Sequence, residues 1–135
     1  MRRNRAVSAA EFRALAGMPP AQPKRAHKYN AKRTEYAGRV YASRAEADYA
    51  RLLDESADVI GWLPQVALPL PGGVRYVVDF LVWTRDGRSH AAEVKGVATA
   101  AWKIKIRQAR EIYPWLPIVV VRRKGNAFVN AEEEA

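Results

Sequence analysis

Cysteine is absent from this 135-residue chain. Disulfides, thiolate nucleophiles and cysteine-based zinc sites are therefore excluded. Histidine occurs only at His27 and His90, too few for a histidine-rich metal centre. Any bound metal must be held by oxygen, which selects a hard ion such as Mg²⁺ or Mn²⁺. No apolar run approaches the roughly 18 residues of a membrane span, so no membrane association is expected. The basic start Met1-Arg2-Arg3-Asn4-Arg5 leads into no apolar stretch and does not read as a secretory signal.

Acidic residues are also scarce, 14 against 23 Lys and Arg, giving a net charge of +9. The imbalance is local. Residues 1–33 carry nine basic side chains and one acid, Glu11, a net +8, while the other 102 residues are nearly neutral. This reads as a basic, largely flexible arm over 1–33, a folded domain over 34–129 and an acidic tail over 130–135. A basic arm points to a polyanionic partner, with simple solvation as the alternative. Within the arm, Ser8 and Glu11 allow a short helix over 8–16, ended by Gly17 and Pro19-Pro20.

Periodicity in the folded part predicts two helices and four strands after a short extended piece. Residues 39–42 form a short extended piece. Ser43-x-x-Glu46 is a capping box that opens a helix over 44–57, with Ala47, Ala50, Leu53 and Ala57 on one stripe. Strands are expected at 65–70, 74–83 and 89–94, separated by turns at Pro71-Gly72-Gly73 and Arg85-Asp86-Gly87. A second helix covers 100–113, with Trp102, Ile106, Ala109 and Tyr113 on one face. Lys103, Arg107 and Arg110 lie on another. The apolar run 117–121 suits a buried strand, and its helical crossover predicts a parallel pairing with 89–94. The order is α-β-β-β-α-β, an α/β (α+β) domain with one small mixed sheet flanked by helices.

Acids within apolar strands need a reason. Asp79 stands in Tyr-Val-Val-Asp-Phe-Leu-Val-Trp, and Glu93 and Lys95 flank Val94. Residues two apart on a strand share a face, so Glu93 and Lys95 project together and His90 points the other way, to the surface. A three-residue loop with Gly87 in the left-handed conformation pairs Thr84 with Arg88 and sets Asp79 opposite Glu93. A two-residue loop would set Asp79 opposite Val94 instead. Facing carboxylates repel. A cation between them removes the conflict, which makes Asp79 and Glu93 candidate metal ligands and Lys95 a candidate catalytic cation. The alternative is a solvated strand face of mixed charge. The basic helix face, Lys103, Lys105, Arg107 and Arg110, adjoins this site as a candidate phosphate-binding surface. Trp62, Trp83, Trp102 and Trp115 are expected in the core or at an interface.

An Asp in a strand, a hairpin and then Glu-x-Lys resembles the signature of the PD-(D/E)XK nuclease superfamily. The stretch from Lys28-Tyr29 through Tyr41-x-Ser43-x-x-Glu46 further resembles its small phage-encoded, Holliday-junction-resolvase-like endonucleases. The resemblance spans about residues 28–121. It implies a restriction-endonuclease-like αβββαβ core and hydrolysis of DNA phosphodiester bonds with Mg²⁺, for which Mn²⁺ may substitute. It implies catalytic roles for Glu46, Asp79, Glu93 and Lys95, with Asp79, Glu93, Glu46 and the Val94 carbonyl on the metal. Glu46 also fits a purely capping role. DNA contacts are implied for Lys28, Lys32, Arg33, Lys103, Lys105, Arg107, Gln108 and Arg110. Gln108 and Tyr113 are five apart, unlike the Gln-x-x-x-Tyr of RecB-type exonucleases. The resemblance further implies a homodimer acting on four-way junctions in a bacterial cytoplasm, phage-encoded or host-encoded, with no small-molecule cofactor. Another structure- or sequence-specific nuclease, or a non-catalytic nucleic-acid-binding module, are the alternatives.

Overall fold

A computed structural model describes residues 32–132. The reading of a helix at 8–16 and the candidate contact Lys28 lie outside the described residues. Among the described residues seven strands and two α-helices follow one another: β1 (Thr34–Tyr36), β2 (Arg39–Tyr41), α1 (Arg44–Glu55), β3 (Val59–Pro69), β4 (Arg75–Thr84), β5 (Ser89–Val94), α2 (Ala100–Ile112), β6 (Ile118–Lys124) and β7 (Ala127–Asn130), with a 3-10 turn at Pro71–Gly73. β3 to β7 form a five-stranded sheet in that spatial order, and β1–β2 a separate hairpin. The sheet is mixed: β5–β6 is parallel and the other three pairings are antiparallel. The expected mixed sheet with flanking helices is therefore present, and the crossover through α2 gives the expected parallel pair.

The two helices cover opposite faces of the sheet. Ala47, Tyr49, Ala50 and Leu53 of α1 pack with Phe80, Val82, Ala92, Val94 and Val121. Ile106 and Ala109 of α2 pack with Tyr76, Val78, Ala91, Ile118 and Val120. Ala91 and Ala92 thus serve different cores, as the two-residue period of a buried strand requires. Phe80 anchors the first core, with ring centroids 5.3 Å from both Tyr49 and Trp62. Its truncation to Ala should cost about 3–5 kcal/mol.

Several boundaries differ from the sequence expectation. α1 ends at Glu55, because Ser56 takes an extended conformation and caps it. β3 starts at Val59 rather than 65 and passes through Pro64, which an edge strand tolerates because half its amides face away from the sheet. β1 and β2 are joined by Ala37 and Gly38, both at positive φ (51° and 81°), a tight hairpin without the usual Asn-Gly signal. Asn130 pairs with Val121 in β7, and Glu132 binds Arg110, so both belong to the fold rather than to a tail. No helix among the described residues is long and apolar enough to cross a membrane. Trp62 is buried in the first core, whereas Trp115 is 73% exposed.

Candidate active site

The site is built where β4 parts from β5. The connecting loop is the three-residue form: Thr84 N–H donates to the Arg88 carbonyl at 2.9 Å, and Gly87 has φ 83°. The ladder runs from Trp83↔Ser89 to Phe80↔Ala92 and stops. One step further, Asp79 and Glu93 face each other, and their side chains continue the hydrogen bonding. The Asp79 amide donates to Glu93 Oε2 at 3.1 Å, and the Val94 amide donates to Asp79 Oδ2 at 2.9 Å. Beside the end of the ladder, the amides of Asp79 and Val94 thus find their acceptors in carboxylates.

Side-chain packing shows why the strands separate here. Phe80 and Val82 enter the core under α1, while Val78 and Tyr76, at the same parity, enter the core under α2. β3 changes sides at the matching position: Trp62 belongs to the first core and Leu68 to the second. The β3–β4 ribbon therefore twists sharply at Gln65 and Asp79, without losing its own register. Gln65 takes the strain, with φ 53°, unusual for a residue other than glycine. Its side-chain amide donates to Asp79 Oδ1 at 3.1 Å.

Burial makes the acids costly. Glu46, Asp79 and Glu93 are only 8%, 7% and 6% exposed. Desolvation pushes the Glu93 carboxyl up to about 9, and the nearby Asp79 charge adds to the rise. Glu46 contributes in the same direction; Lys95 and the Asp79 amide oppose it. Two buried carboxylates that face each other do not both ionise readily without an added cation. The donor set is oxygen-only and suits a hard divalent ion. Asp79 and Glu93 fit as its protein ligands, a small number that Mg²⁺ accepts because it keeps several waters. Among the described residues no cluster of three or more His, Cys, Asp or Glu forms a ready-made metal cage.

The other candidates fall at varied distances from this pair. Lys95 Nζ lies 4.7 Å from the Trp102 ring centroid. Trp102 Nε1 donates to the Tyr76 hydroxyl at 3.2 Å, and burial with the Glu93 charge pushes the Tyr76 phenol up. Val94 presents its amide to Asp79 and its side chain to the core. Glu46 sits at the third position of α1, its amide donating to Ser43 Oγ at 3.1 Å as the capping box predicts. Lys103, Arg107 and Gln108 are exposed along α2, Lys105 is half-buried, and Lys32 and Arg33 are exposed ahead of β1. Arg110 is engaged: it binds Glu132 and donates to the Ile118 carbonyl at 2.6 Å. His90 is half-buried on the α1 side, and burial pushes its imidazole down.

Gln65, Tyr76 and Arg122 are site or near-site residues that sequence reasoning did not find. Gln65 carried one weak signal, a polar side chain amid the apolar β3. No protein-family model matches the chain, and no curated protein matches it.

Proposed function

We propose that the protein is a metal-dependent endonuclease that hydrolyses DNA phosphodiester bonds, with a four-way junction as its preferred substrate and a homodimer as its working form. The observation that carries this reading is the Asp79–Glu93 pair: two buried carboxylates held face to face where β4 leaves β5, with Lys95 just beyond the end of β5. The resemblance to the PD-(D/E)XK superfamily supports it, as does the basic surface of α2.

Asp79 and Glu93 would hold a divalent cation. Such an ion, when bound, neutralises charge on a phosphate and acidifies water. Gln65 fixes one oxygen of Asp79 and the Val94 amide fixes the other, so the carboxylate is oriented before substrate arrives. Lys95 supplies an ammonium to the phosphate oxygens, whose charge grows as water adds and the P–O bond breaks. Trp102 holds that ammonium near the site. Lys103, Arg107 and Gln108 provide contacts to the strand that continues past the cut. A junction is two-fold symmetric, so a dimer would place one site on each of two opposed strands.

The competing reading is a non-catalytic nucleic-acid-binding module, because Asp79 and Glu93 also satisfy backbone amides. The test is incubation with labelled four-way junction, flap, single-stranded and linear duplex DNA, in Mg²⁺, Ca²⁺ and EDTA. Cleavage in Mg²⁺ with binding but poor cleavage in Ca²⁺ is the expected result. Preferential cutting of the junction supports the finer assignment. Binding without cleavage of any substrate would refute the catalytic one.

A further inference from the structure

A cavity of about 530 Å³ opens beside the catalytic face, between α2 and β6. That is within the range of roughly 300–1,000 Å³ typical of ligand sites. Its basic lining comes from three parts of the chain. Lys95 follows β5, Lys103, Arg107 and Arg110 project from α2, and Arg122 from β6. Against these five cations the described lining holds one acid, Glu132.

The position of that acid is built. The Ala131 amide donates to the Val120 carbonyl at 2.9 Å, which carries the chain beyond β7 back along β6. The Glu132 amide donates to Asn130 Oδ1 at 2.9 Å and turns the side chain toward α2. There Arg110 grips the carboxylate with both arms: Nη1 meets Oε2 at 2.6 Å, and Nη2 meets Oε1. Such a two-pronged guanidinium pair fits a carboxylate and a phosphate equally well. Both side chains are partly open to solvent, at 37% and 44% exposure. An ion pair this open to solvent can exchange partners. Arg110 keeps Glu132 ionised, its carboxyl below the ordinary range, so protonation does not release it near neutral pH. A competing anion can.

We propose that this cavity is a phosphodiester-binding subsite for the strand leading away from the cut, and that the Glu132 carboxylate occupies the place of one phosphate on Arg110 until substrate displaces it. The inference rests on the nucleic-acid reading above. It assigns Glu132 as an internal competitor for DNA and Arg110 as a contact uncovered on binding. An acidic residue inside an otherwise cationic cavity lowers affinity for weakly held strands. Substrates that offer enough further contacts overcome it.

The test measures binding by the full chain in EDTA, where no cutting occurs. Fluorescein-labelled single-stranded, duplex and four-way-junction DNA are titrated over a salt series by anisotropy. Glu132→Gln should bind roughly three- to tenfold tighter, with a log–log salt slope steeper by up to about 0.9 on duplex and about 0.7 on single strands. Arg107→Gln should weaken binding severalfold. In an Arg110→Gln background the gain from Glu132→Gln should vanish, because the two residues act through one contact. Unchanged affinity and slope in Glu132→Gln, or a gain that persists without Arg110, would overturn the proposal. If Arg110→Gln does not fold, Arg107→Gln decides alongside Glu132→Gln: undiminished affinity in the former refutes a strand in this cavity. The nuclease reading fails separately. Absence of cleavage in Mg²⁺ together with the Glu132→Gln gain rejects catalysis and supports the subsite, whereas cleavage without that gain rejects the subsite alone.

Discussion

The Glu93 carboxyl makes the stability of the metal-free protein depend on pH in a defined direction. Its ordinary value is 4.5 and the folded protein raises it to about 9, chiefly by burial and then by Asp79. The folded state therefore holds one proton that the unfolded chain releases above about 4.5. Stability from this group is complete below that pH and is lost as pH rises toward 9. One proton changes stability by somewhat over about 1 kcal/mol per pH unit, so the loss between pH 6 and 8 is at most about 3 kcal/mol. That is a large share of the roughly 5–15 kcal/mol that holds a domain together. The groups facing Glu93 are Asp79 and Tyr76 on β4, Glu46 on α1 and Lys95 beyond β5; the Lys95 charge and the hydrogen bond from the Asp79 amide oppose the rise.

Glu93→Gln isolates the effect. The amide oxygen can still accept from the Asp79 N–H, but the side chain no longer titrates. Thermal or denaturant unfolding in EDTA should give similar stabilities for the two proteins near pH 5. By pH 8 the Gln variant should be the more stable, by about 1–3 kcal/mol, or roughly 4–8 °C in midpoint for each kcal/mol. Mg²⁺ or Ca²⁺ should raise the wild-type midpoint at pH 8 and leave the variant nearly unmoved, since an ion that binds only the folded form stabilises it. A stability difference between the two proteins that stays constant from pH 5 to 9 would refute the argument, because the carboxyl would then not titrate differently in the two states.

Three further outcomes are expected. Asp79→Ala, Glu93→Ala and Lys95→Ala should each lower single-turnover cleavage by at least about a hundredfold, while DNA affinity of the two acid variants holds or rises; cleavage that persists in both acid variants would place the active site elsewhere. Gln65→Asn keeps a residue tolerant of positive φ but shortens the amide away from Asp79, so cleavage should fall roughly ten- to a hundredfold with KM for DNA unchanged, and an equal fall in DNA affinity would contradict a positioning role. Deleting residues 1–33 removes a net charge of +8 and should weaken DNA binding and flatten its salt slope, by roughly 0.9 for each phosphate that is no longer neutralised; an unchanged slope would mean that the arm does not meet DNA.

How much of this was readable in the residues depends on distance along the chain. The loop Arg85-Asp86-Gly87 fixes every pairing beyond it but allows two registers, and the one that sets Asp79 opposite Glu93 is favoured in the sequence only by the purpose it gives the acids; the structure has that three-residue form. The face shared by Glu93 and Lys95 followed from strand parity. The β1–β2 hairpin did not show, since Ala37 carries a positive φ that alanine does not advertise. β3 was shortened by Pro64, whose cost disappears on an edge strand that sequence alone does not identify. β7 hides behind Gly125-Asn126, a genuine turn signal set among polar residues with no apolar alternation strong enough to follow it. Gln65 and Glu132 were out of reach for another reason: each acts on a residue, Asp79 or Arg110, that lies many positions away and is brought near only by the sheet.

The twist at Gln65 and Asp79 bears on what the acids are for. Where the β4–β5 ladder ends, the amides of Asp79 and Val94 need acceptors, and Glu93 and Asp79 provide them. Asn and Gln carry the same carbonyl acceptor on side chains of the same length, so neutral residues would answer the backbone's need without the penalty of burying charge. The acids add only negative charge, and in this pocket that charge is unfavourable enough to hold Glu93 protonated well above its ordinary range. Lys95 reduces the penalty but does not remove it. A feature that the backbone does not require, and that lowers stability at neutral pH, would gain a purpose if a cation lay between the carboxylates. On that argument the Asp79–Glu93 pair supports a metal-dependent reaction rather than a strand end alone, and the opposite responses of Glu93→Gln at pH 8, a gain in stability and a loss of cleavage, are the signature that would separate the two.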